Sequence, residues 1–127
     1  MPTRTYIQTD EAPKAIGPYS QGVALCHLVF LSGQIALVPE TGELVKGSVT
    51  EETEQIFKNI GALLRAKDLT FENIVKATIF LTDMSKFAEV NAEYAKYFPT
   101  NPPARSCVGV ASLPRGAQVE IEVIAGI

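Results

Sequence analysis

The amino-acid sequence predicts an α+β fold, in which six short strands form one sheet and two amphipathic helices pack on one face of it. Two stretches carry apolar residues at the spacing of a helix face. Six other runs are short, rich in β-branched residues or alternating in polarity, and bounded by turn residues. The predicted order is β-β-β-α-β-α-β-β, in a single domain that covers residues 1–127.

Three strands are predicted before the first helix, at residues 3–8, 23–26 and 28–32, with the last two joined near His27. Residues 11–22 contain two prolines and two glycines, which favours an ordered loop over a helix.

The first helix is predicted to run to about Lys67. Either Ser48 or Thr50 is placed to cap its start, and the acidic residues that follow suit the positive end of a helix dipole. Its apolar face consists of Ile56, Phe57, Ile60, Leu63 and Leu64.

A β-branched run at residues 74–81 predicts the fourth strand. Asp83 or Ser85 is placed to cap the second helix, which Pro99 ends. The apolar face of this helix consists of Phe87, Val90, Tyr94 and Phe98.

The last two strands are predicted to form a hairpin around a loop of residues 111–116. In the register that we expect, Cys107 pairs with Glu120 and Arg105 with Glu122. The residues expected to face the core are then Ser106, Val108, Val110, Val119, Ile121 and Val123.

The other face of this hairpin would collect a guanidinium, a thiol and two carboxylates. One interpretation is a surface ladder of cross-strand ion pairs, each contributing under about 1 kcal/mol. The other is an anion-binding site, in which Arg105 holds a carboxylate and a neighbouring acid handles a proton. The pattern of residues alone does not decide between these two interpretations.

Several motifs, in order along nearly the whole chain, resemble the RidA (YjgF) family of enamine/imine deaminases. They are Ala15–Gly22, Ser32–Ile35, Val75–Thr78, Phe87–Asn91, Pro103–Val108, Leu113–Pro114 and Val119–Glu122. The resemblance implies a chorismate-mutase-like fold with a mixed sheet, and a homotrimer with sites in the clefts between subunits.

The strand pattern gives separate support for an oligomer, though not for the number three. Residues 28–31 are apolar on both faces and residues 74–81 nearly so, as in strands buried on both sides. Two helices cover only one face of such a sheet. The simplest cover for the other face is a second copy of the chain.

By resemblance, Arg105 holds the carboxylate of the substrate, for which a planar guanidinium is suited. Glu120 orients or deprotonates the attacking water; the alternative is a salt bridge to Arg105 that only orders the strand. Tyr19 lines the site, from the neighbouring subunit, or packs within its own loop. Ser32 and Gly33 also line the pocket.

Asn91 shares the apolar face of its helix, so its amide needs a partner; it either ties the helix to a loop or lines the cleft. Cys107 is expected to line the pocket with its main chain, because the chain's one histidine, His27, sits at a turn and offers no base. An oxidisable thiol is the alternative. Gly109 stands where some relatives have a larger, charged residue, which affects the expected substrate preference.

Composition excludes several classes of protein. The net charge is −3 and no basic arm is present, which argues against nucleic acid as a partner and against a ribonuclease. Two cysteines are too few for a disulfide framework, and no apolar leader or membrane segment is seen, so we expect a soluble, cytoplasmic protein. No zinc cluster or phosphate-binding motif appears, and no cofactor is expected.

The expected function is cofactor-independent hydrolysis of 2-imino or enamine acids, such as 2-iminopropanoate and 2-iminobutanoate, to 2-oxo acids and ammonia. The alternative is a non-catalytic regulatory protein that binds small carboxylates through the same Arg105.

Overall fold

The computed structural model describes residues 3–127. The strands are β1 (Arg4–Ile7), β2 (Gly22–Leu25), β3 (Leu28–Leu31), β4 (Ile74–Leu81), β5 (Ala104–Gly109) and β6 (Val119–Gly126), and the helices are α1 (Val49–Arg65) and α2 (Phe87–Ala95). The predicted order of elements is confirmed. The domain boundaries, residues 1–127, stay a prediction whose first two residues lie outside the described part.

One mixed sheet of six strands holds the fold together, in the spatial order β1-β2-β3-β6-β4-β5. Every neighbouring pair is antiparallel except β4 and β5, which run parallel because α2 crosses over between them. Both α1 and α2 lie on one face. The predicted α+β class and its six-stranded mixed sheet are confirmed.

The predicted closing hairpin is wrong. β4 lies between β5 and β6, so Cys107 pairs with Ile79, Arg105 with Ala77, and Glu120 with Phe80. The two closing runs do alternate, but each pairs with the β-branched strand β4 instead of with the other. A parallel β4-α2-β5 unit places β5 on one side of β4, and β6 takes the other side.

This arrangement also corrects which residues share a face. Val119, Ile121 and Val123 are buried under the helices as expected. Arg105 and Cys107 project to that same face, while Ser106 and Val108 project to the opposite one with Glu120 and Glu122. The two carboxylates and the guanidinium are therefore on opposite faces of the sheet.

The helix boundaries resolve one open alternative and correct another. Ser48, not Thr50, caps α1: its hydroxyl accepts from the Glu51 backbone N–H, and the Glu51 carboxylate accepts from the Ser48 N–H. Asp83 caps a short 3₁₀ turn, Met84–Lys86, that leads into α2. α2 itself starts after Lys86 and has no side-chain cap, so neither Asp83 nor Ser85 caps it directly. α2 ends at Ala95, four residues before the predicted stop at Pro99.

The core lies between the sheet and the helices, and the other face of the sheet is open. Phe57, Ile60 and Ile121 are fully buried in the core. On the open face Leu28 and Phe30 are each about 40% exposed. Single exposed apolar side chains are ordinary, but here they recur on neighbouring strands, together with Tyr6, Val75 and Val108.

Among residues 3–127, neither helix has the length and apolar character needed to cross a lipid bilayer.

Candidate functional site

Side chains of α2 hold the Arg105 side chain in place. Its Nη1 donates a 2.7 Å hydrogen bond to Oδ1 of Asn91. Its guanidinium carbon lies 4.8 Å from the ring centre of Tyr94 and 5.4 Å from that of Phe87, which are cation–π distances. The side chain is otherwise exposed. Packing thus fixes the guanidinium plane while other N–H groups remain free for an anion.

Asn91 resolves one of the alternatives left by the sequence, because its partner is Arg105 and not a loop. The amide is half-buried on the face of α2 that lies along β5. That Asn91 lines a substrate cleft stays a prediction.

Tyr94 carries an unusual hydroxyl. The side chain is only 4% exposed, and within the described residues its Oη has no hydrogen-bond partner. Burial raises the pKa of this phenol, and the charge of Arg105 acts in the opposite direction. The guanidinium therefore lies close enough to affect this pKa, and its carbon is over the ring of Tyr94.

Cys107 lies on β5 beside Arg105, half-buried against the core. Burial raises the pKa of its thiol, and the charge of Arg105 only partly offsets this. At neutral pH the group is a thiol and not a thiolate, which fits the prediction that Cys107 lines the pocket and does not attack the substrate.

Glu120 lies on the open face of the sheet, against Gly33. A backbone bridge between Gln34 and Ile121 extends β3 along β6, with hydrogen bonds of 2.9 and 3.0 Å. A Cβ atom added at Gly33 would collide with the Glu120 carboxylate. The Glu120 carboxylate thus occupies the space that a side chain at position 33 would need, and a larger residue there would displace it.

The pKa of the Glu120 carboxyl is raised from its ordinary value. Burial is the larger cause, and the negative charge of Glu122 adds to it. A carboxyl group with a raised pKa exchanges protons closer to neutral pH, as general acid–base catalysis requires.

The loop of residues 11–22 supplies the rest of the Glu120 surroundings. Ser32 donates a 2.6 Å hydrogen bond to the Ser20 carbonyl, which ties this loop to the end of β3. Tyr19 is 53% exposed, and its hydroxyl accepts a 3.3 Å hydrogen bond from the Ile16 N–H. Tyr19, Gly33 and Glu120 line one concavity of about 310 Å³, together with Lys14, Ile35 and Arg115.

Within one copy of the chain, the predicted site residues form two separate groups. The first group is Asn91, Arg105 and Cys107, and the second is Tyr19, Ser32, Gly33 and Glu120. β4 separates β5 from β6, so Arg105 and Glu120 lie two strand spacings, about 10 Å, apart across the sheet. They are also three residues apart along it, since Arg105 pairs with Ala77 and Glu120 with Phe80, and their side chains point to opposite faces. The alternative for Glu120, a salt bridge to Arg105, is therefore absent from residues 3–127.

Sequence reasoning missed two structural supports. The sequence assigns Phe87 and Tyr94 only to the apolar face of the second helix. In the structure, the parallel crossover brings both rings against the guanidinium of Arg105. From the sequence, Glu52 is one of the acids that suit the positive end of the helix dipole. In the structure it is buried and accepts hydrogen bonds from the Gln118 and Val119 backbone N–H groups at 3.0 and 3.3 Å. It anchors the start of β6, next to Glu120.

No cluster of three or more His, Cys, Asp or Glu side chains suited to a metal ion occurs among residues 3–127.

Comparison with known proteins gives consistent matches. A family model described as Endoribonuclease L-PSP matches residues 9–127. Reactive Intermediate Deaminase A of Arabidopsis thaliana is 50% identical over 119 residues, which are 94% of this chain and 64% of that longer, chloroplastic protein. The mouse protein named 2-iminobutanoate/2-iminopropanoate deaminase is 49% identical, over 96% of this chain and 90% of its own length.

A solved structure also matches. TdcF of E. coli, crystallised with bound serine, has a TM-score of 0.92 and 42% identity, and the match covers 97% of both chains.

Proposed function

The chain belongs to the family described as Endoribonuclease L-PSP, the YjgF/RidA family, and from that premise we propose that it is a 2-iminobutanoate/2-iminopropanoate deaminase. The mouse relative carries that name at 49% identity over nearly the whole chain. The single feature of the site that supports it best is the Arg105 guanidinium, fixed by Asn91 and two aromatic rings with part of its donor set free.

The reaction needs few parts. Water adds to the C=N carbon of the 2-imino acid, and the carbinolamine that forms loses ammonia to leave the 2-oxo acid. Arg105 holds the carboxylate and so orients the imine carbon. Glu120 accepts a proton from the attacking water and passes it to the imine nitrogen, and it then transfers the hydroxyl proton of the carbinolamine to the departing nitrogen. No cofactor enters these steps.

The two halves of the site come from different copies of the chain. Arg105, Asn91 and Cys107 of one copy face Tyr19, Ser32, Gly33 and Glu120 of the next. Support comes from Glu120 itself, which lies on the open face of the sheet with exposed Leu28 and Phe30. A copy seated on that face would bury these apolar groups and bring an edge strand near Glu120.

The assembly proposed is a homotrimer, as the family resemblance implies. A closed ring of three copies uses one head-to-tail interface three times, and so builds three equivalent sites.

The ligand class is a small 2-amino- or 2-imino acid and its 2-oxo product. TdcF of E. coli, similar along 97% of this chain, was crystallised with serine, which carries a carboxylate and an adjacent nitrogen as the imino acids do. No nucleic acid or membrane is a proposed partner. A cytoplasmic location stays a prediction, since the Arabidopsis relative is chloroplastic by name.

Turnover of a free imine tests this function. A pyridoxal-phosphate dehydratase acting on threonine or serine generates 2-iminobutanoate or 2-iminopropanoate, and semicarbazide traps whatever imine remains. Substoichiometric protein is expected to shorten the imine lifetime in proportion to its concentration. Matched lifetimes with and without protein, despite binding of the 2-oxo acid, would favour the regulatory alternative.

A further inference from the structure

The concavity of about 310 Å³ beside Glu120 is larger than the proposed substrates need. A water molecule takes up about 30 Å³ in the liquid, and a methyl or ethyl group is about the size of one or two water molecules. The concavity therefore has room for a longer substrate side chain. Its apolar lining consists of Pro13, Ile16, Ile35, Leu37 and Pro114.

The proposed reaction places the imine carbon at this concavity. Glu120 passes protons between the attacking water and the imine nitrogen, so its carboxylate lies within hydrogen-bond distance, about 3 Å, of both. The same carboxylate lines the concavity. Because the side chain of the substrate starts at the imine carbon, that side chain is within reach of the concavity, whichever copy of the chain supplies Arg105.

Two cations, Lys14 and Arg115, line the concavity together with Glu120. Neither forms an ion pair with Glu120 or with any other carboxylate of residues 3–127. Arg115 makes one long hydrogen bond, 3.4 Å from Nη2 to the Gly42 carbonyl, which leaves most of its donors free. An apolar lining with a few charged groups is the usual composition of a small-molecule site.

The backbone at Arg115 has an unusual conformation. Its φ is +62°, in the left-handed region that residues with a Cβ rarely adopt, and Gly116 follows with a φ of +75°. An arginine at this position carries a conformational cost that a glycine would not. Because such outliers cluster at ligand sites, the conformation is a second observation that points to a role for this side chain.

We infer that Arg115, together with Lys14, binds the second carboxylate of a dicarboxylic 2-imino acid, so that compounds such as 2-iminoglutarate are substrates. This inference rests on the proposed function, because it places the imine carbon at Glu120. Water adds to the C=N carbon and ammonia leaves, which gives 2-oxoglutarate, and the second carboxylate takes no part in the bond changes.

The dimensions of 2-iminoglutarate fit this arrangement. In the extended molecule the imine carbon and the second carboxyl carbon are joined by three bonds of about 1.5 Å, which places them about 4 Å apart. The second carboxylate thus points away from Glu120, which would repel it. The guanidinium of Arg115 is suited to bind it with two parallel hydrogen bonds, and the flexible stem of Lys14 allows a third.

Specificity constants for three imines test the inference. A flavin-dependent amino-acid oxidase, with catalase, generates 2-iminoglutarate from glutamate and 2-imino-4-methylpentanoate from leucine, and the dehydratase supplies 2-iminobutanoate. Arg115→Gln is expected to lower kcat/KM for 2-iminoglutarate relative to 2-iminobutanoate by about 10-fold, the lower end of what a hydrogen bond to a charged group contributes. The ratio for the leucine-derived imine, similar in length but without the second charge, is expected to change by less than about 3-fold.

Two features of the design isolate the charge. Gln has a Cβ like Arg, so the backbone cost at position 115 is retained. Arg65→Gln removes the same charge from the end of α1, outside the concavity, and is expected to keep all three ratios within about 2-fold, since exposed charges far from a site are screened.

Turnover of 2-iminobutanoate without turnover of 2-iminoglutarate, or an unchanged ratio in Arg115→Gln, would overturn the inference and leave the proposed function intact. A wild-type protein that hydrolyses none of the three imines would overturn the proposed function. Calorimetry then decides on the second carboxylate by itself: 2-oxoglutarate is expected to bind more tightly than 2-oxobutanoate, and about 10-fold more weakly to Arg115→Gln than to the wild type. Equal binding of the two 2-oxo acids would overturn the inference.

Discussion

Replacing Glu120 with Gln is expected to lower kcat for imine hydrolysis by about 10²- to 10⁴-fold, the usual contribution of a positioned acid or base. Gln keeps the size of the side chain and its contact with Gly33, but it neither accepts nor returns a proton. KM is expected to change far less, because the carboxylate of the substrate is held by Arg105. Steady-state kinetics in the dehydratase-coupled assay measure both constants.

Glu122→Gln is the matched control, since Glu122 lies on the same strand and the same face of the sheet, two residues further on. It is expected to keep kcat within a few-fold. It also removes one of the two causes that raise the pKa of Glu120. Because Glu120 must be deprotonated to accept a proton, the rate falls as the pH drops through that raised pKa. In Glu122→Gln this fall is expected at a lower pH.

If kcat/KM falls at the same low pH in Glu122→Gln as in the wild type, a group other than Glu120 governs that fall. Wild-type kcat in Glu120→Gln would assign the activation of water to backbone carbonyl groups.

Replacing Arg105 with Lys is expected to lower kcat/KM by about 10- to 150-fold, mostly through KM. Lys keeps the positive charge but loses the two-pronged geometry for a carboxylate and the flat surface that stacks on Phe87 and Tyr94. The loss of one charge-assisted hydrogen bond costs about 1.5–3 kcal/mol, and 1.4 kcal/mol corresponds to tenfold in rate. The carboxylate is bound equally in the ground and transition states, so KM takes most of the change.

Arg65→Lys is the matched control, because Arg65 is an exposed arginine at the end of α1, on no element of the site. Light scattering must show that both variants keep the wild-type mass. Unchanged kinetics in a correctly assembled Arg105→Lys protein would reduce Arg105 to a surface residue of β5.

Local pattern was sufficient for the elements of the fold. Helical spacing from Ile56 to Leu64 and the β-branched run at residues 74–81 each depend on neighbours in sequence, and both match the structure. The pairing of the last two strands was wrong because pairing is a property of the whole sheet. Alternation in β5 and β6 fits a hairpin as well as it fits two strands on either side of β4.

For the candidate site, too, the sequence predicted the residues better than their arrangement in space. Arg105, Asn91, Gly33 and Glu120 were all identified from the sequence, the first three by residue type and motif and Glu120 also by its strand position. The sequence placed Arg105 and Glu120 together, whereas the structure separates them by a strand and a sheet face. The Tyr94 ring under Arg105 was not identified, because an aromatic residue on the buried face of a helix gives no separate signal in the sequence.

Mixing two impaired variants, with kcat/KM as the readout, tests most directly whether the site is completed between copies. Arg105→Lys impairs one half of every site and Glu120→Gln impairs the other, so neither variant alone has the wild-type kcat/KM. When equal amounts are refolded or expressed together, a random ring gives each site both intact halves with a probability of about one quarter. The mixture is therefore expected to recover about a quarter of the wild-type activity per site. Activity that stays at the average of the two separate variants, in oligomers shown to contain both chains, would contradict a site shared between subunits.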